Sequence, residues 1–151
     1  MKKAFAFINL IFMQQLYDMQ QMQEGEIMKE KLYKEVETLK KDLWEINDFI
    51  YNNPELGDQE FKACEKLTNF LKAHNFEVEI GVVDRPTAFR AIFDSKKPGA
   101  TVSYLCEYDA LPEVGHGCGH NMIGVMSAGA GIVLSKVLQD IGGKIVVLGT
   151  C

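Results

Sequence analysis

The stretch CEYDALPEVGHGCGHN, residues 106–121, gathers carboxylates, two histidines and two cysteines into sixteen positions. Cys118 and His120 form a Cys-x-His pair, and His116 stands two residues earlier. Thiolate and imidazole are the donors that a borderline-soft ion such as zinc prefers. Glycines at 115, 117 and 119 let the backbone turn tightly, so that alternate side chains can converge. Glu107 and Asp109 can bind a metal directly, or accept a hydrogen bond from a ligand imidazole and fix its tautomer.

Two other chemistries use the same residue types. A structural zinc site closes four ligands, commonly from paired groups, and no second pair is evident. A cysteine nucleophile activated by His116 or His120 is the other, although it leaves the flanking acids without a role. The remaining candidates read as ordinary structure. Cys64, on the apolar face of a helix, and Cys106, at a strand end, read as small buried apolar residues. His74 reads as a surface cap at a helix end.

The elements that must position the cluster follow from periodicity. Over 29–52, Leu32, Val36, Leu39, Leu43, Ile46 and Ile50 recur in steps of three and four, with Trp44 and Phe49 widening the stripe. Asn52-Asn53-Pro54 ends that helix. Asp58 is placed to cap a second helix carrying Phe61, Cys64, Leu67, Phe70 and Leu71 on one face. Strands are expected at 76–80, 88–94 and 100–109, and a buried strand at 144–149. From Asn121 to about Gln139 the chain is small and apolar, which suits a helix lying close against a sheet. The order α-α-β-β-β-α-β predicts an α/β layer architecture, with the cluster where a strand gives way to a buried helix.

The chain has 151 residues, 47% of them hydrophobic, and a formal net charge of −5. That supports one domain with a core, and without a basic run it argues against a nucleic-acid partner. Four sparse cysteines without framework spacing point to a reducing compartment, the cytoplasm. Residues 1–27 read as an extension, either disordered or preceding the true start at Met28. Lys2 and Lys3 before a short apolar run resemble a signal peptide. The run falls well below the roughly 20 residues of a membrane span and lacks a cleavage site, so no membrane partner is expected.

EYDALPEVGHGCGHN resembles the signature of the aminoacylase-type zinc metallopeptidases, in their amidohydrolase branch. That branch includes aminobenzoyl-glutamate hydrolases and N-acyl amino acid amidohydrolases. NPELGDQE, the small-residue helix after Asn121 and VVLGT agree in kind and in order, so the resemblance runs over about residues 30–150. It implies that Cys118 and His120 bind a divalent metal, zinc first, with manganese or cobalt as alternatives. It gives Asp109 a supporting role beside the ligands, with Glu107, His116 and Asn121 near the pocket. It implies a three-layer-type metallopeptidase catalytic domain and small amide or dipeptide substrates. Asn121, where many members carry aspartate, inclines the substrate toward dipeptides or acyl-glutamate-like amides.

Family members continue from LGT into Pro-Ala-Glu-Glu, where one glutamate activates water and the next binds metal. Here Cys151 follows Thr150. Two further ligand histidines and an inserted domain, used by homodimeric relatives for dimerisation, also lie beyond this stretch. The expectation is therefore an incomplete catalytic domain over 28–151, without the catalytic glutamate and inactive alone. The alternative is a non-catalytic truncated protein or a weak metal-binding domain. On this reading the strand at 144–149 is expected to present an unpaired edge.

Overall fold

A computed structural model describes residues 2–150, with side chains from Gln14 onward apart from that of Gln15. Cys151 and the side chains of the signal-like run before Gln14 lie outside the described residues. The order is α1 (Lys2–Asn52), α2 (Phe61–Ala73), β1 (Glu77–Ile80), β2 (Phe89–Asp94), β3 (Thr101–Glu107), α3 (His120–Ile141) and β4 (Lys144–Thr150). A single turn of 3-10 helix, Val82–Asp84, interrupts the loop between β1 and β2.

The four strands form one sheet in the order β1-β2-β4-β3. β1 and β2 are antiparallel, β2 and β4 are antiparallel, and β3 runs parallel to β4 from Thr101↔Lys144 to Glu107↔Thr150. The expectation that 144–149 is an unpaired edge is wrong: β4 is an inner strand, bonded on both sides. The free edges among the described residues belong to β1 and β3. The reason is the crossover. A β3-α3-β4 unit returns the chain beside β3, and the β1-β2 hairpin closes against the other side of β4.

α2 and α3 lie on one face of the sheet, and α1 packs across α3. The alternation of the strands puts Phe89, Ala91, Phe93, Ile145 and Val147 on that face, all buried. On the opposite face Ile92, Val146 and Leu148 are half-buried and Leu105 is exposed. Helices thus cover one face of an incomplete α/β domain. By length and composition α3 could cross a bilayer, but its burial assigns it to the core. Its small residues permit that burial. A Cβ on Gly124 would come within 2.8 Å of the Glu107 carbonyl oxygen, and one on Gly131 within 2.9 Å of the Val147 side chain.

The helix read over 29–52 extends back to Lys2, so residues 2–27 continue the same helix backbone. Leu39, Ile46 and Ile50 are buried as expected, and Leu32, Leu43 and Phe49 pack against them. Trp44 and Val36 are exposed instead. In α2, Phe61 is also exposed, and Ala63, Cys64, Leu67 and Leu71 form the inner face.

Asp58 does not cap α2. It adopts φ +63° and takes a two-pronged ion pair from Arg85, at 2.7 and 2.8 Å. Glu55 caps in its place, accepting from the backbone N–H groups of Lys62 and Ala63 at 2.9 and 3.1 Å. The cap comes from seven residues upstream because the NPELGDQE turn folds back over the helix start.

Candidate metal centre

β3 delivers its residues to two sides at its carboxyl end. Cys106 and Tyr108 point inward. Cys106 is buried, its Sγ donates to the Gly124 carbonyl at 3.2 Å, and burial drives its thiol pKa upward. Tyr108 stacks on Phe89 with ring centroids 5.8 Å apart, and its hydroxyl donates to the Thr87 carbonyl. Burial pushes that phenol far up as well. Thr87 Oγ1 in turn donates to Glu60 Oε2 at 2.6 Å, which leaves buried Glu60 Oε1 without a partner. Cys64 completes this inner group, its thiol raised to about 11, chiefly by burial. Both cysteines read as small buried residues are therefore that.

Glu107 and Asp109, one step out of phase, point the other way. They meet His120, the first residue of α3. Asp109 Oδ1 lies 2.6 Å from His120 Nδ1, and Glu107 Oε2 lies 3.2 Å from Nε2. The three side chains are between 18 and 37% exposed, a shallow, partly shielded site. Close approach at Gly124 sets the spacing, because it lets the first turn of α3 rest on the backbone of Glu107. Gly119, at φ +83°, makes the bend that starts the helix.

Carboxylates only accept, so the arrangement has a direct chemical reading. With Nδ1–H donating to Asp109, Nε2 faces Glu107. A cation could sit between that nitrogen and the carboxylate. A carboxylate holding the far nitrogen of an imidazole is the usual support of a metal-ligating histidine.

The loop from Ala110 to Gly119 carries the other candidates. It is pinned at its start by the Ala110 N–H to the Glu55 carbonyl, at 2.7 Å, and folded on itself by Leu111 and Gly115. Cys118 is exposed, the only exposed thiol among the described cysteines. His116 is buried against Tyr51 of α1, with ring centroids 6.5 Å apart, and neither ring nitrogen makes a well-formed hydrogen bond, the Ile50 carbonyl being only a distant acceptor. Burial lowers its pKa, and the nearby His120 adds to this. The Ile50 carbonyl and Asp109 oppose it. Asn121 is buried and donates to the Asn47 side chain of α1 at 2.9 Å, tying the start of α3 to α1 rather than facing the carboxylates. His74 sits half-buried at the C-cap of α2, edge-on to Phe70.

The donor types fit a zinc-like ion: an oriented imidazole, an accessible thiol and a carboxylate at the open nitrogen. They do not complete a site, because among the described residues no group of three histidine, cysteine or acidic side chains is arranged so that it could hold an ion. Sequence reasoning missed the inner Glu60-Thr87-Tyr108 chain and the Asn47 partner. Strand alternation through Cys106 and Tyr108 could have indicated that Tyr108 points inward. Nothing local marks Glu60 as buried.

No family profile matches the chain. Individual proteins do. It is 33% identical over 139 residues to a mouse Xaa-Arg dipeptidase, covering 84% of this chain and 32% of that protein. It is 35% identical over 115 residues to one of the subunits of the Escherichia coli p-aminobenzoyl-glutamate hydrolase, covering 65% of this chain and 24% of that one. Among solved structures, a Bacillus subtilis dinuclear metal-binding peptidase of the M20 family shares the fold with a TM-score of 0.67 and 19% identity. That match covers 75% of this chain and 35% of the peptidase. These likenesses agree in kind with the resemblance to the aminoacylase-type metallopeptidases, and the M20 peptidase shares the fold. It spans about a third of the length of the curated relatives it matches.

Proposed function

We propose that the chain supplies part of the metal centre and pocket wall of a metal-dependent amidohydrolase acting on small amides. Dipeptides, N-acyl amino acids and aminobenzoyl-glutamate-like compounds are the substrate class. The observation that carries the reading is His120 held at both nitrogens by Asp109 and Glu107. Dipeptidase and aminobenzoyl-glutamate hydrolase relatives support the substrate class, and the dinuclear peptidase neighbour supports a divalent metal.

Cys118 and His120 would hold the ion, zinc in preference because one donor is a thiolate. Bound there, the metal would polarise an amide carbonyl and lower the pKa of water. Asp109 accepts from Nδ1–H of His120 and so directs the Nε2 lone pair outward. Glu107 holds negative charge beside that nitrogen. Asn121 and Asn47 fix the first turn of α3 so that His120 does not drift. A reducing compartment such as the cytoplasm belongs to the same reading, since Cys118 must stay a thiol to act as a donor.

Because no three donors among the described residues are arranged to hold an ion, the chain alone is proposed to be inactive. The purified chain should give no turnover of these substrates with added zinc, manganese or cobalt. Metal-dependent turnover that is lost in Cys118→Ala would overturn this part of the reading.

A further inference from the structure

A groove of about 280 Å³ runs between α1 and α3, its apolar lining led by Leu43, Trp44, Met122, Val125 and Met126. The two helices already touch along it. A Cβ on Gly129 would come within 2.8 Å of the Leu43 side chain, and Asn121 donates to Asn47, which also lines the groove. Val125 is buried, while Trp44, Met122 and Met126 are each more than half exposed. At 100° per residue, Met122 and Met126 lie about 200° and 240° around α3 from His120, so the groove and the metal centre are on opposite sides of that helix. The metal reading leaves the groove unused.

We infer that this groove is a second small-molecule site, taking an uncharged aromatic compound of one or two fused rings. The charges around it exclude ions. Glu37 and Lys40 both border the groove and satisfy each other at 3.3 Å, so its own charges cancel. A carboxylate entering there is repelled by Glu37, and an ammonium by Lys40. The remaining groups favour a ring over an aliphatic body of equal size. Trp44 offers a ring to stack on, Met122 and Met126 offer thioethers, and Lys40, which falls between Leu43 and Trp44 on the helix circumference, offers an ammonium to a ring face. A protein segment fits poorly. α3 gives the groove only the turn from Met122 to Met126, and α1 sets Glu37 and Lys40 in the same wall, so the apolar area falls short of a stable protein interface. The inference rests on the α1–α3 surface alone and does not depend on the metal reading.

Carbon-13 methyl NMR of the methionines reads the site directly, with benzyl alcohol as the probe on the 151-residue chain. Of the seven methionines only Met122 and Met126 line the groove. Their signals should shift saturably, with a midpoint at about millimolar probe, and the other methionines should stay in place. Cyclohexylmethanol, the aliphatic counterpart, should bind about fivefold more weakly, and benzoate about tenfold more weakly. Trp44→Ala should weaken benzyl alcohol binding about tenfold, as for an aromatic anchor. Circular dichroism should show the fold unchanged, since Trp44 is exposed. Lys40→Gln should narrow the preference for benzyl alcohol over cyclohexylmethanol. No shift up to the solubility of the probe would overturn the inference, as would shifts spread evenly over all the methionines. So would equal binding of cyclohexylmethanol, tighter binding of benzoate, or binding indifferent to Trp44→Ala.

Discussion

Cys106 and Tyr108 share one short stretch with Glu107 and Asp109, yet the two pairs meet opposite fates. The first pair is sealed in the core with Phe89, Cys64 and Thr87, and burial drives both of its ionisable groups away from their charged forms. The second pair stays partly open to solvent and grips His120. The cause is the two-residue period of an extended chain, which continues past the last ladder bond of β3. One face of the strand end anchors the fold and the other presents chemistry, with the anchor holding the chemistry in place. Changes on the inner face should therefore act on stability, and changes on the outer face on metal binding.

The largest effect belongs to the inner face. Tyr108→Ala removes a buried ring stacked on Phe89 and the hydroxyl bond to Thr87, and should cost about 3–5 kcal/mol in urea unfolding. Tyr108→Phe keeps the ring and should cost only about 1 kcal/mol. Gly124→Ala breaks the boundary between the faces, because its Cβ would press on the Glu107 carbonyl and the Tyr108 side chain. A loss of about 1–3 kcal/mol is expected, together with weaker zinc binding as α3 lifts from the strand.

Changes on the outer face should separate the two readouts. Asp109→Asn should leave unfolding almost unchanged and weaken zinc binding by about 10–100-fold, the usual cost of losing the carboxylate behind a ligand histidine. Isothermal titration with zinc alongside urea unfolding makes the comparison. An equal loss in both would mean that Asp109 is an anchor like Tyr108.

The smallest effect is pH dependence. Burial holds His116 below the ordinary 6.5, and His74 shifts the same way for the same first reason. Between the folded and unfolded values the unfolded chain binds more protons, so stability is full above about 6.5 and falls as pH drops through the folded value. Urea midpoints should decline from pH about 7.5 to 5.5, and His116→Gln should remove part of the decline.

Much of this was legible in the sequence. Periodicity located α2, α3 and all four strands to within a few residues. The errors have physical causes. Strand order is set by a crossover and a hairpin closing on the same strand, which β4 itself does not encode, so an inner strand was read as an edge. The cap of α2 comes from Glu55 through a fold-back of the turn, while local spacing points to Asp58. Trp44 and Val36 fit the helical period, but the period fixes which residues share a face and not how wide a face the neighbouring helix covers. Within the cluster, the sequence gathers six candidates. The structure brings Glu107, Asp109 and His120 together, leaves Cys118 exposed in the preceding loop, and turns His116 and Asn121 toward α1.

The most direct test of the outer face is competitive zinc titration of the chain and of two double variants. Cys118→Ser with His120→Ala should abolish most of the binding, while Cys64→Ser with Cys106→Ser should lower stability and leave zinc affinity within about threefold. Equal loss of zinc affinity in both, or unchanged binding in the first, would contradict the assignment of the metal to the outer face of the β3–α3 junction.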